Sequence, residues 1–199
     1  MPDDEGEALY AAALEAGASA PGATFAEVGA WCGKSTVYLG AAAEATGAVV
    51  LSVDHHHGSE EQQAGWEHFD PELVDRADGR LNTLPSWQRT IAEGGLEGCV
   101  VGLVGDSPTI AARLRADLAL CFIDGGHGHD PAWADYRAWA PLVVDGGWLC
   151  IHDVFEDPAE GGRPPYELYL EATSTDFAEV SATGSLRVLR RRSGGGAGR

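Results

Sequence analysis

Lysine is almost missing from this chain. Lys34 is the only one, and 13 basic residues stand against 31 acidic ones, for a formal net charge of −18. A surface of that sign repels phosphate backbones, so the sequence argues against a nucleic-acid partner. No apolar run reaches the ~18–20 residues of a membrane span, so no membrane partner is expected either. The hydrophobic share, 44%, is that of an ordinary globular protein. The first seven residues, Met1 to Glu7, are acidic and lack the basic and apolar regions of a secretory signal. The expected location is the cytoplasm. Cysteine is sparse and shows no C-x-x-C spacing: Cys32, Cys99, Cys121 and Cys150 read as small hydrophobes in a reducing compartment, not as disulfides or a zinc site.

The order of patterns along the chain alternates strand and helix. Helical spacing runs over 4–17 and stops at Gly17. A first strand covers 24–30, a glycine-containing turn follows, and an alanine-rich helix runs from Ser35 to about 46. Strand patterns recur at 48–54, 99–104, 118–124 and 148–153, the last entered through a Gly146-Gly147 turn. Helices are expected at 86–94, from Ser107-Pro108, from Asp130-Pro131 to about 143, and at 166–172. Residues 55–84 form a long irregular segment with a short helix expected around 60–68, and loops of this length are commonly functional. The final stretch around Gly184 reads as a β-hairpin. These patterns predict an α/β fold: a Rossmann-like, doubly wound, mostly parallel seven-stranded sheet with a C-terminal antiparallel hairpin. One domain is expected over residues 1–192, with a disordered tail at 193–199.

Three strand patterns end on a carboxylate. They are Ala-Val-Val-Leu-Ser-Val-Asp54, Leu-Ala-Leu-Cys-Phe-Ile-Asp124-Gly-Gly-His127 and Trp-Leu-Cys-Ile-His152-Asp153. In an open parallel sheet the carboxyl ends of the strands share one edge, and ligands bind there. The topology therefore gathers Asp54, Asp124, His127, His152 and Asp153 around one cleft. Oxygen and imidazole groups of this kind suit a small divalent cation and proton transfer. Taken singly, Asp124 is as readily a capping residue and His127 a solvated loop histidine; the combination with Asp153 favours a site.

The turn Glu27-Val-Gly29-Ala-Trp-Cys-Gly33-Lys-Ser35-Thr36 joins the first strand to its helix. Glycines let the backbone approach a ligand, and a helix N-terminus offers free amides. The spacing is neither that of a P-loop nor G-x-G-x-x-G, so neither a nucleoside triphosphate nor a dinucleotide is indicated. A tight turn without a ligand is the plainer alternative. His55, His56 and His57 cannot easily share one ion, because adjacent residues on an extended chain point in alternate directions. One of them is expected to border a cofactor and another to line an acceptor pocket, with His56 and His57 as substrate candidates. Trp66 and Tyr166 are further candidates, since aromatic faces suit carbohydrate rings, although packing is the commoner role of Trp.

Several of these segments together resemble a known family. Glu-x-Gly-x-x-x-Gly-x-Ser-Thr after the first strand, an acid ending the second, Gly105-Asp106-Ser107 after the third and Ile-Asp-Gly-x-His after the fourth are similar to class I S-adenosylmethionine-dependent methyltransferases. Within that class the pattern, over roughly residues 20–190, resembles small metal-dependent O-methyltransferases acting on sugars and natural products. The resemblance implies that Glu27 and Gly29 lie beside the methionine part of S-adenosylmethionine, with Ser35 nearby. It implies that Asp54 bonds the ribose and that Asp106 and Ser107 border the adenine. Asp124 and Asp153 would hold Mg²⁺ or Mn²⁺, and His127 would be the general base. The family usually carries Asp-Asp or Asp-Asn where this chain has His152-Asp153, so His152 either replaces a carboxylate ligand or faces the core.

More narrowly, Val-Asp-His-His-His-Gly-Ser-Glu-Glu-Gln-Gln with Ile-His-Asp-Val-Phe resembles the actinobacterial methyltransferases of methylmannose polysaccharide synthesis. That would imply 1-O-methylation of a short, already 3-O-methylated mannoside. A small sugar or oligosaccharide acceptor and a homodimer are the partners this resemblance implies. A metal-dependent hydroxylase and a non-catalytic nucleotide-binding module are the alternatives. The first lacks a convincing H-x-D/E triad, and the second does not need Asp124, His127 and Asp153 together.

Overall fold

The computed structural model describes residues 1–66, 69–126, 128–157 and 159–194; most of the expected tail lies outside them. Helix α1 (Asp3–Ser19) leads into β1 (Thr24–Val28), α2 (Lys34–Thr46) and β2 (Val49–Asp54). After the long loop come α3 (Leu84–Glu93), β3 (Val100–Val104), α4 (Ser107–Ala111), β4 (Leu118–Ile123), α5 (His129–Trp139) and β5 (Val143–Ile151). Helix α6 (Arg163–Ser174) and the hairpin β6 (Phe177–Thr183) and β7 (Leu186–Arg191) complete the chain. The seven strands form one sheet in the order β3-β2-β1-β4-β5-β7-β6. The first five run parallel to one another, while β7 runs antiparallel to β5 and to β6.

The period of two along each strand builds two cores. Phe25, Leu120, Phe122, Trp148 and Cys150 face α1, α2 and α3. Their neighbours Ala26, Cys121, Ile123, Leu149 and Ile151 face α4, α5 and α6. Both faces are therefore covered, which accounts for strands that read as continuous apolar runs. Cys121 and Cys150 are buried, and all four cysteines are free thiols.

Helix α1 has no side-chain cap, since Pro2 precedes it. Its stripe of Leu9, Ala12, Ala13 and Ala16 has the i, i+3, i+4, i+7 spacing of a buried helix face. Full burial of Leu9 stabilises by about 1.5–3 kcal/mol, more than a typical missing cap costs, ~1 kcal/mol.

Several boundaries differ from the sequence reading, most of all those of the fifth strand and the last helix. Strand β5 begins at Val143, so Gly146-Gly147 lies inside it rather than before it. Val143 already pairs with Leu118, and the register then shifts to Leu120 opposite Trp148. Gly146, at φ 74°, absorbs the extra residues as a bulge. Helix α6 begins at Arg163, with Pro164 and Pro165 inside its first turn, where a missing N–H costs nothing. Of the helix expected around 60–68, the described residues 60–66 hold a single 3₁₀ turn, Glu60–Gln62, closed by a capping box from Ser59 to Gln62, while residues 67 and 68 lie outside the described residues.

Candidate active site

Strands β1 and β4 are neighbours although the chain visits β2 and β3 between them. The connections diverge here, and a crevice opens beyond the strand ends. Gly29 follows β1 directly, at φ 91°. A Cβ on it would stand 2.2 Å from the carbonyl oxygen of Asp124, so only glycine lets the two strand ends approach this closely. Three non-glycine residues with left-handed backbones sit just past the strands: Trp31 after β1, His56 after β2 and Asp153 after β5. Such conformations cost about 1–3 kcal/mol each and cluster where a site requires them.

Asp54 builds the first turn. Its Oδ2 accepts the backbone N–H groups of Ala30 and Trp31, both at 2.9 Å, and its Oδ1 accepts that of His56 at 2.6 Å. A carboxylate has about four acceptor positions, so roughly one remains for a ligand hydroxyl. Asp54 opens onto a cavity of about 650 Å³. Gly29, Trp31, Ser35, Asp106 and Ser107 line one part of it, and Asp124, Asp135, His152 and Asp153 line another. That volume is ample for a drug-sized ligand. Asp106 caps α4 by accepting the backbone N–H and hydroxyl of Thr109, while Ser107 Oγ accepts the Trp139 indole N–H at 2.6 Å.

Glu27 is fully buried beneath this surface, among the polar groups that support the turn. Its Oε2 accepts the hydroxyls of Thr36 and Ser52, both at 2.6 Å, whereas Oε1 has no hydrogen-bond partner among the described residues. Burial pushes its pKa up to about 7 against the hydroxyls of Ser35, Ser52 and Thr36, which favour the anion.

The other half of the site centres on His152, which is 5% exposed. Its Nδ1 lies 3.0 Å from Asp124 Oδ1 and 3.3 Å from Asp153 Oδ1. Its Nε2 lies 2.7 Å from Oε2 of Glu5, in the first turn of α1. Burial opposes charge on the ring, but Asp124 and Asp153 outweigh it and hold the histidine well above its ordinary pKa. Burial would raise Glu5, yet His152 and Ser185 keep it low. Ligand atoms of Asp124, His152 and Asp153 all lie within 4.8 Å of one another, which fits a single divalent ion. The ring in its doubly protonated form and such an ion are alternatives for the same two carboxylates.

The structure thus brings Gly29, Ser35, Asp54, Asp106, Ser107, Asp124, His152 and Asp153 to one cavity. His152 is buried and at the same time turned, by its Nδ1 edge, to the two carboxylates, so it meets the core and the acidic pair at once. His127 lies outside the described residues. The histidine triplet is bent rather than extended, with His56 at φ 60°, and the His56 ring parts from the other two. His55 and His57 stack with ring centroids 6.1 Å apart, and His55 lines the cavity. His56 is instead in the core against Trp87, with Nδ1 2.8 Å from Thr83 Oγ1. His57 Nδ1 is 2.9 Å from the Leu81 carbonyl oxygen. Neither is among the described residues lining the cavity, because each ring is drawn to a polar group of the loop and α3 edge. Trp66 is exposed and Tyr166 packs on the α6 side beneath the Arg163 guanidinium; both are also away from the cavity lining.

Two acids at the site escaped the sequence reading, Glu5 and Asp135. Each lies on the apolar stripe of its helix: Glu5 with Leu9, Ala12 and Ala16, and Asp135 with Ala132, Tyr136 and Trp139. A carboxylate at a core position of an amphipathic helix is the signal that could have found them. Burial raises the Asp135 pKa to about 6, against a hydrogen bond from Ser107.

Fold and site together describe a methyltransferase. Residues 26–154 match the model of the methyltransferase domain family, and the chain belongs to that family. Solved structures with the same fold include the O-methyltransferase NovP, 16% identical, with a TM-score of 0.71 over 95% of this chain and 80% of that one. The O-methyltransferase TomG from Streptomyces achromogenes, involved in tomaymycin synthesis and solved with SAM, is 15% identical, with a TM-score of 0.64 over 96% and 81%. An O-methyltransferase from Bacillus cereus in complex with SAH is also 15% identical, with a TM-score of 0.65 over 96% and 82%. No helix among the described residues is long and apolar enough to cross a membrane.

Proposed function

We propose that this methyltransferase moves a methyl group from S-adenosylmethionine to a hydroxyl of a sugar or oligosaccharide, with a divalent ion at Asp124, His152 and Asp153. One observation carries the reading: a single cavity joins the Gly29–Asp54–Asp106 surface to the Asp124–Asp153 pair. The first surface suits a nucleoside ligand and the second a cation with an oxygen-bearing acceptor. The SAM-bound TomG and SAH-bound Bacillus cereus structures, which share the fold, support the choice of cofactor.

Methyl transfer from a sulfonium is an in-line displacement, so the protein's main task is to hold donor carbon and acceptor oxygen close and aligned. Asp54 offers its remaining acceptor position to a ribose hydroxyl, and the close approach at Gly29 keeps space for the ligand beside the strand ends. When bound, the ion lowers the pKa of an acceptor hydroxyl and draws it into place. His127, three residues after Asp124, is assigned the role of base that removes the hydroxyl proton. The sugar acceptor, and more narrowly a 3-O-methylated mannoside methylated at O1, rests on the sequence resemblance around His55–Gln63 and His152-Asp153.

The experiment is transfer of a labelled methyl group from S-adenosylmethionine to short mannosides, with Mg²⁺ or Mn²⁺ and again in excess EDTA. Metal-dependent labelling of the mannoside supports the proposal. Full labelling of the mannoside after EDTA treatment and dialysis removes the metal from it. Label reaching a non-sugar hydroxyl but no mannoside removes the acceptor.

A further inference from the structure

Helix α1 lies far in sequence from β5, yet its Glu5 reaches the histidine that follows that strand. Glu5 is 2% exposed and His152 5%, and their 2.7 Å contact spans 147 residues of sequence. Glu5 is itself fixed: its Oε1 accepts the backbone N–H of Ser185 at 2.5 Å and the Ser185 hydroxyl at 2.9 Å. These bonds tie α1 to the turn between β6 and β7. The His152 backbone N–H donates to the Ile123 carbonyl at 3.1 Å, so the residue is held at both its main chain and its ring.

A carboxylate on one ring nitrogen fixes the orientation of the imidazole and leaves the other nitrogen to act. Here Glu5 takes Nε2, and Nδ1 is turned to the space between Asp124 and Asp153. Ions differ in what they gain from such a set. Carboxylate oxygens suit Mg²⁺, whereas an imidazole nitrogen suits later first-row ions, whose affinity for nitrogen rises along the series through Co²⁺ and Ni²⁺.

We propose that Glu5 is the positioning residue for His152, and that the resulting pocket of one imidazole and two carboxylates selects a Co²⁺-like transition ion over Mg²⁺. This rests on the metal site of the proposed function and names the class of ion and the residue that tunes it.

The test is calorimetric titration of Co²⁺ alone and Mg²⁺ alone into the wild type, Glu5→Gln and His152→Asp, with the visible absorption of bound Co²⁺ as a second readout. The wild type should bind Co²⁺ at least about tenfold more tightly than Mg²⁺. His152→Asp, which leaves three carboxylates, should narrow or reverse that ratio. Loss of an outer partner of this kind typically costs about 10–100-fold in metal affinity, and Glu5→Gln should show it for Co²⁺ together with a shifted absorption band. Ser185→Ala loosens Glu5 without removing a carboxylate; it should move Co²⁺ affinity the same way by less, and it serves if Glu5→Gln does not fold. Wild-type Co²⁺ affinity in Glu5→Gln, or in Ser185→Ala where it stands in, overturns the role of Glu5. Equal or tighter Mg²⁺ binding by the wild type overturns the selectivity. Absence of any ion binding to the wild type overturns the metal site itself, and the inference with it.

Discussion

The carbonyl oxygen of Asp124 occupies the space a side chain on Gly29 would need, 2.2 Å from an ideal Cβ. Gly29 also holds φ at 91°, which an L-residue rarely adopts. Gly29→Ala therefore meets a backbone atom that cannot rotate away. The expected result is a loss of stability on the order of 2–4 kcal/mol, read as a lower urea midpoint, with weaker S-adenosylmethionine binding as the β1 and β4 ends separate. Wild-type values for both would show that this close approach has no role.

Asp54→Ala should weaken the cofactor and the fold together. The mutation strands the amides of Ala30, Trp31 and His56 and, in the proposed binding mode, a ribose hydroxyl as well. Each unsatisfied buried group costs about 1–3 kcal/mol. Asp54→Asn keeps acceptor capacity on one oxygen and should fall between alanine and wild type in calorimetry. An unchanged dissociation constant in Asp54→Ala counts against the ribose assignment.

Glu27 supplies a pH dependence whose sign is fixed. Its native pKa is raised from 4.5 to about 7 by burial. Between those values the folded protein keeps a proton that the unfolded chain has released, so stability from this group falls as pH rises. The full drop is about 3 kcal/mol, at 1.36 kcal/mol per pKa unit. Glu27→Gln cannot ionise and should flatten the stability curve between about pH 4.5 and pH 7. Parallel urea midpoints for mutant and wild type across that window would contradict the burial of an ionisable Glu27.

His127→Ala should bind cofactor normally and lose about 10²–10⁴-fold in kcat. A histidine base works when neutral, so wild-type activity should rise through its pKa and level off. The doubly protonated His152 ring competes with a metal ion for Asp124 and Asp153, so the profile is taken at saturating metal. Near wild-type kcat in His127→Ala would assign proton removal elsewhere, with His55, which lines the cavity, next to be tested.

Much of the fold was legible because alternation and strand-end carboxylates are local signals. Asp54, Asp124 and Asp153 could be gathered on one edge from sheet topology alone. The start of β5 was not legible, because Gly146-Gly147 reads equally as a turn before a strand or a bulge within one, and only pairing with Leu118 decides. The inward turn of His56 follows from Thr83 and Trp87, 27 and more residues away. Glu5 was hidden by a local explanation: acids in the first turn of a helix complement its dipole. Asp3 and Asp4 are exposed there, whereas Glu5 falls on the buried stripe and meets a partner at the other end of the chain.

The account stands most directly on cofactor binding. Calorimetric titration of S-adenosylmethionine into the wild-type protein should show one saturable site per chain. That binding should weaken in Asp54→Ala and should be retained in His127→Ala. No saturable binding to the folded wild type, or equal affinity in Asp54→Ala, would contradict the assignment of this cavity to S-adenosylmethionine.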